Sequence, residues 1–430
     1  MIAATVAAVS WARWAFPQPH RGVLTVIGII YLLPSGAFPA LAALPRPTLL
    51  DAAVSVTLAG WLWLTLRRRI RWTITPSRCA VLLFLGVLLA AFAQGLDATV
   101  PEQRLACARV VLAVLFFFSV THGLQNKRQL RQAVAMMVVA SGLAASAALT
   151  LYLLPVPTNH LLLAGLGWIG YPADDTLVRF VADTDIRRAT GTAVDPNLLG
   201  GMLAVSLPIA LAQGLGPRPV LSRPLVLFIA AIVAVALLLT FSRAAWFGAL
   251  VGVGLLSLMG YRRIWWGLTV GLIAAAIGPW RARIWERVQT GVLWSDRASL
   301  MRIEEYRESL ARVLQHPGFG VGFGTPPGMD PLLRVSNAYL LIAEQSGLLG
   351  LMAFITIPVL ILGQAIPAMR AGPTRDHAAI QAGALAALCA ALAIGLFDHY
   401  FFNYGFPQTV TLFWFIAALA AWPASLKSGG

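Results

Sequence analysis

Four groups of residues with chemical capacity interrupt an otherwise apolar chain. Ser242-Arg243 breaks an apolar stretch running from Leu225 to about Gly260. An arginine so close to hydrocarbon costs about 3 kcal/mol unless it is paired or hydrated, which makes Arg243 a functional candidate. The plainer alternative is an arginine snorkelling at a tight turn between two spans. Arg187 and Arg188 precede Asp195-Pro196-Asn197, where Asp195 or Asn197 caps a helix with Pro196 in its first turn. That helix N-terminus, with an arginine beside it, suits an anion; ordinary capping with a solvated charge pair is the other reading.

A third group is the arginine-rich stretch containing Arg281, Arg283, Arg287, Arg297, Arg302, Arg307, Arg312 and Arg334. The acids Glu286, Asp296, Glu304, Glu305, Glu308 and Asp330 share it, so surface pairs account for many of these charges. One or two forks remain for bidentate contact with a diphosphate, and Arg297, at a helix start, is the choice. The fourth group is Ser336-Asn337-Ala338-Tyr339 with Glu344, together with Asp398-His399. Either carboxylate fits the role of general base, while an ion pair with an arginine explains Glu344 equally well. His160 and His316 read as loop residues, and no spacing matches a zinc or iron site.

The elements that must position these groups are membrane spans. The chain has 430 residues, 59% hydrophobic and 11% charged, where a soluble protein carries roughly a quarter charged. Apolar runs near the bilayer-spanning length recur, at 22–44, 48–66, 79–96, 105–121, 132–154, 196–214, 225–241, 244–260, 264–280, 338–368, 378–397 and 408–426. The expectation is an all-α polytopic protein of about twelve transmembrane helices, one membrane domain over 1–430 with no separate soluble domain. Residues 1–16 read as a short amphipathic helix or a partial span. A removable signal peptide is not expected, because no early charged region and cleavage site occur. Cys79, Cys107 and Cys389 fall within apolar segments and read as small core residues.

The short loops orient the path. Arg67-Arg68-Arg69-Ile70-Arg71, Lys127/Arg128/Arg131, Arg218/Arg223, Arg262/Arg263 and Arg370/Arg375 all fall on one side, which the positive-inside rule assigns to the cytoplasm with both termini. The opposite side receives long loops at 155–195 and 281–337 and a short one at 398–407. Within 281–337, Leu300, Ile303, Tyr306, Leu310 and Val313 recur at helical spacing and predict an amphipathic helix lying on the membrane surface or capping the bundle. Gly318-Phe319-Gly320-Val321-Gly322-Phe323-Gly324 ends it with a flexible turn. The net charge of +15 comes almost wholly from arginine. A GC-rich genome explains that, and so does a phosphate-bearing substrate; position rather than composition separates the two.

Arg-Ala-Thr-Gly-x-x-x-Asp-Pro-Asn-x-Leu-Gly (188–200), Phe-Ser-Arg-Ala-Ala-Trp (241–246), His-Pro-Gly-Phe-Gly-Val-Gly (316–322) and Asn-Ala-Tyr-Leu-Leu-Ile-Ala-Glu-Gln-Ser-Gly-Leu-Leu-Gly (337–350) occur in order. Together they resemble the O-antigen ligase/polymerase superfamily of WaaL- and Wzy-type proteins, over roughly residues 185–405. The resemblance implies a GT-C-like membrane fold, in the bacterial inner membrane, with its active site facing the periplasm. It implies transfer of a glycan from undecaprenyl diphosphate to an acceptor hydroxyl, without metal or other cofactor, and with Arg188, Arg243 and Arg297 holding the diphosphate. The partners implied are the lipid-linked oligosaccharide, an acceptor glycan or lipid A-core, membrane lipid and a chain-length regulator; no nucleic acid is expected.

One departure matters. Ligases of the superfamily carry a histidine just before the Asn337 position, and here that residue is Ser336, which cannot act as a base at neutral pH. Glu344, Asp398 or His399 must take the role, or the chain is not a ligase. The departure tilts the reading toward a polymerase. A flippase or transporter of lipid-linked sugars is the rival from another class; it would place charged groups at mid-membrane in repeated halves, whereas here they cluster at one face.

Overall fold

The computed structural model describes residues 2–33, 48–70, 72–96, 99, 101–169, 171, 178–181, 184–278, 281–293, 297–323, 334–370 and 378–422. Described residues fold into helices and no strand: α1 (Ile2–Ala15), α2 (Pro19–Leu32), α3 (Leu49–Leu66), α4 (Pro76–Gln94), α5 (Pro101–Gly123), α6 (Lys127–Leu153), α7 (Val156–Ala164), α8 (Pro196–Leu215), α9 (Arg223–Leu239), α10 (Arg243–Leu258), α11 (Arg263–Ile277), α12 (Arg281–Val292), α13 (Arg297–Gln315), α14 (Ala338–Arg370), α15 (Ala378–Ile394) and α16 (Pro407–Ala420). Every expected span falls on one of these, although only 22–32 of the first is helix and its remainder lies almost entirely outside the described residues. Six helices, namely α3, α4, α5, α6, α8 and α14, are long and apolar enough to cross a membrane; α2, α9, α10, α15 and α16 are shorter apolar helices.

Local chemistry sets the helix starts. Proline occupies the first turn of α2, α4, α8, α9 and α16, where its missing N–H is no loss. Thr48, Thr75, Asn126 and Asp195 cap α3, α4, α6 and α8 through side-chain oxygens. Packing then relies on small residues. Helix α8 is almost wholly buried, and Gly383 of α15 lets that helix close on Ile209 and Ala212 of α8. Gly252 of α10 similarly meets the backbone of α15 at Ala386. Without a hydrophobic force between helices in lipid, such close backbone approach supplies the dispersion contacts that hold them.

The two ends of the bundle differ in chemistry. At one end the basic loops gather: the Arg131 guanidinium donates to the carbonyls of Arg218 (3.0 Å) and Pro219 (2.7 Å), and the Trp422 indole donates to Leu124 O (3.1 Å). The other end holds all four sequence motifs. Cys107 is buried and Cys389 partly so, but Cys79 faces outward rather than into the core.

Helix α13 caps this second end, and its orientation corrects the expected stripe. Val313 is buried and Tyr306 half-buried, but Leu300 and Leu310 are exposed. The inward face keeps Ile303, Tyr306 and Val313 of that stripe and adds Arg302, Glu305, Ser309 and Arg312, so most of it is polar. It is polar because it meets a polar network, described below. The glycine run is likewise more than a flexible turn. Helix α14 breaks at Gly347 (φ 70°, ψ −176°), and the carbonyls freed there accept from the turn: Val321 N–H to Glu344 O (2.8 Å) and Gly322 N–H to Gln345 O (3.1 Å). A side chain at Gly320 would place its Cβ 2.7 Å from Gly347 N, so this interlock needs glycine on both sides.

Candidate active site

Arg188 joins the first two motifs. Its Nε donates to Thr240 O (2.7 Å) and its Nη2 to Asn197 Oδ1 (2.6 Å), tying the start of α8 to the end of α9. The adjoining backbone follows, with Ala189 N–H donating to Leu239 O at 2.8 Å. Gly200 permits the approach, since a Cβ there would stand 2.9 Å from Ala245 Cβ and 3.0 Å from Thr240 Oγ1. Burial lowers the Arg188 pKa to about 10; the Asp195 and Asp398 carboxylates oppose that shift, and the Arg243 and Arg179 charges reinforce it. Arg243 thus lies within electrostatic reach of Arg188, as the first residue of α10.

Two bulky residues here adopt left-handed backbone, Val194 (φ 69°) before the cap of α8 and Phe241 (φ 50°) before Ser242-Arg243. Such conformations cost about 1–3 kcal/mol each and persist only where the surroundings enforce them. The two helix termini are closed differently, α8 by Asp195 as expected. Asp195 Oδ1 accepts from Asn197 N–H (2.7 Å) and Leu198 N–H (3.2 Å), so the anion at the α8 terminus is the protein's own carboxylate. At α10, by contrast, Ser242 places no side-chain cap on the first turn.

The loop after α15 brings a second set to the same end. His399 Nδ1 lies 2.9 Å from Val335 O, and its ring stacks on Phe406 at 5.9 Å. A carbonyl only accepts, so Nδ1 carries the hydrogen and the neutral ring keeps its lone pair at Nε2. Asp398 Oδ1 accepts the His399 N–H (2.9 Å). Burial raises the Asp398 pKa; His399, Arg302 and the His399 N–H pull it down, and Asp195 raises it further. The Tyr400 ring packs on Gly201, and its pKa is raised well above the ordinary value by burial and by Asp398 and Asp195.

Ser336 sits between α13 and this loop. Its N–H donates to Glu305 Oε2 (2.9 Å), and its carbonyl accepts from the Tyr306 hydroxyl (3.0 Å). Asn337 caps α14, accepting from Tyr339 N–H and Leu340 N–H (both 2.9 Å) and donating through Nδ2 to Leu396 O (2.9 Å). The Tyr339 hydroxyl donates to Leu392 O at 2.8 Å. Both residues therefore pin α14 to α15. Glu344 is buried, with Oε1 3.2 Å from Arg312 and 3.8 Å from Arg334, and Arg334 also donates to the Tyr404 hydroxyl (2.7 Å). The ion-pair reading of Glu344 describes this geometry. Arg187 turns away from the cluster, donating to Tyr152 O (3.2 Å), Leu154 O (2.6 Å) and Leu151 O (2.8 Å) at the end of α6.

Residues 228–355 match the family model Wzy_C, described as O-antigen ligase. Over that segment the chain is similar to the O-antigen ligase/polymerase superfamily. No curated protein matches the chain. The O-antigen ligase match runs from α9 past the break in α14 and contains Arg243, Glu305, Ser336 and Glu344. Arg188, Asp398 and His399 lie outside it and reach the same end through the fold.

Of the arginine-rich group, Arg302 rather than the expected Arg297 is the one seen facing the bundle among the described side chains. Arg297 begins α13, but its side chain lies outside the described residues. Arg302 faces the bundle and acts electrostatically on Asp398, Tyr306 and Tyr400. Its spacing of four from Tyr306, on one helical face, was the available signal. Glu305 had the same signal, three residues on.

Proposed function

We propose that the protein transfers a glycan from undecaprenyl diphosphate to a sugar hydroxyl at the periplasmic face of the inner membrane. Arg188 and Arg243 hold the diphosphate, joined by an arginine of α13. They stabilise charge as it develops on the leaving pyrophosphate. His399 Nε2 removes the proton from the acceptor hydroxyl, whose oxygen attacks the anomeric carbon while the bond to the diphosphate breaks.

The observation that carries this reading is the contact from His399 Nδ1 to Val335 O, 2.9 Å. It sets an imidazole next to Ser336, the position where ligases of the superfamily carry their histidine. Ser336 alone tilts the sequence toward a polymerase. An imidazole from His399 beside it suits a ligase as well, and the description of the matched family supports the ligase, with lipid A-core as acceptor. The polymerase, with a second lipid-linked unit as acceptor, shares the donor site and remains the second reading.

Surface polysaccharide from a strain lacking the gene decides between them. Long polymer retained on its lipid carrier and absent from lipid A-core is the expected result for a ligase. Collapse of the ladder to single repeats on their normal anchor would establish the polymerase. An unchanged ladder would remove both.

A further inference from the structure

The transfer proposed above needs a donor and an acceptor, and the arginines account only for the donor. Glu305 lies on the inward face of α13 and is half-buried. Its Oε2 accepts the Ser336 N–H at 2.9 Å, while the next residue, Tyr306, donates its hydroxyl to Ser336 O at 3.0 Å. Helix α13 therefore satisfies both backbone polar groups of Ser336. Asp398 repeats the arrangement on the other side, with Oδ1 accepting the His399 N–H at 2.9 Å.

Two carboxylates, each with one oxygen pinned by a backbone N–H, thus flank the segment that holds the imidazole. Pinning removes the rotational freedom that a surface carboxylate would lose on binding, so the second oxygen points in a set direction. An ionised carboxylate only accepts hydrogen bonds, and sugar hydroxyls are donors. Carboxylates therefore stand at Ser336 and His399, within electrostatic reach of Arg188 and Arg302 through Asp398.

We propose that Glu305 is a specificity-determining residue, whose Oε1 accepts hydrogen bonds from ring hydroxyls of the acceptor glycan on the edge of the Val335–Ser336 peptide opposite His399. The proposal rests on the transferase reading but not on the choice between ligase and polymerase, since both acceptors are sugars.

The test uses the full-length protein in lipid nanodiscs. The donor is lipid-linked oligosaccharide extracted from a strain lacking the gene; the acceptors, titrated separately, are lipid A-core and that same lipid-linked oligosaccharide. In Glu305→Gln the amide oxygen still accepts the Ser336 N–H, so the clamp survives while the open oxygen becomes an amino donor. The expected result is an acceptor KM raised about tenfold, with the donor KM unchanged and the maximal rate within about threefold. Glu305→Asp, which keeps the charge but shortens the reach, should raise the acceptor KM less and supplies the test if the glutamine variant does not assemble. An unchanged acceptor KM, or equal shifts for donor and acceptor, overturns the assignment. Absence of transfer by the wild-type protein overturns the transferase reading and this inference with it.

Discussion

Arg187 and Arg188 are neighbours in the chain but grip different helices. The Arg187 guanidinium closes the C-terminal carbonyls of α6, whereas Arg188 spans from Thr240 O to Asn197 Oδ1 and so ties α9 to α8. One residue of offset separates a helix cap from a candidate phosphate ligand.

The two arginines should therefore respond differently to substitution. Arg188→Ala is expected to lower turnover about 100-fold or more, as loss of an oriented electrostatic donor does. Arg188→Lys should recover little, because a single ammonium cannot bridge both acceptors. Arg187→Ala should cost about 1 kcal/mol of stability and keep most of the turnover. Turnover and thermal midpoint measured on the same preparations check all three.

His399→Ala should reduce turnover about 100- to 10,000-fold without changing donor affinity. Adding Ser336→His to that variant places an imidazole on the neighbouring backbone and should recover at least about tenfold of the loss. Equal inactivity of the single and double variants, with donor binding intact, would argue against His399 as the base.

Asp398 predicts a pH-dependent stability. Burial raises its pKa, so ionising it weighs on the folded state. Stability therefore falls as pH rises from the ordinary aspartate value, about 4, through the raised one, and the penalty is complete above that. Asp398→Asn keeps an acceptor for the His399 N–H and removes the charge. It should raise the thermal midpoint at neutral pH, and the gain should shrink to nothing as pH falls to about 4. A gain independent of pH would contradict this account.

Glu344 is held between two arginines, so its loss should be read in stability. Glu344→Gln is expected to cost about 2–4 kcal/mol, because it leaves buried guanidinium charge uncompensated. Combined with Arg312→Ala, the double-mutant cycle should give a coupling of about 1–3 kcal/mol. Loss of turnover with unchanged stability would instead make Glu344 the base.

Gly347→Ala should destabilise by about 1–2 kcal/mol from its left-handed backbone alone. The new Cβ would also stand 2.7 Å from Phe319 N, so the glycine turn must shift. Thermal unfolding measures the cost, and the same variant should lose turnover if α13 is displaced with the turn.

The spans were legible because hydrocarbon demands long apolar runs and puts arginine in short loops on one side; hydropathy reads both directly. The cap was not. Leu300 and Leu310 belong to the expected stripe of α13, but its inward side carries Arg302 and Arg312, because the surface beneath offers the carboxylates of Asp398 and Glu344. The role proposed for His399 is equally hidden. It lies 64 residues from Val335 in the chain, and only the return of the chain after α15 brings the two together. Local spacing names candidates for a site; long-range contacts decide which of them meet.

The interlock between the glycine turn and the break in α14 also orders events during synthesis. Pro317 through Gly322 leave the ribosome before Glu344, Gln345 and Leu348, which complete their hydrogen bonds. The turn must therefore wait until a later span is threaded. His399 follows later still. The end proposed to carry out transfer is among the last parts to become whole, and a chain halted before residue 399 would have most of its helices without the proposed base.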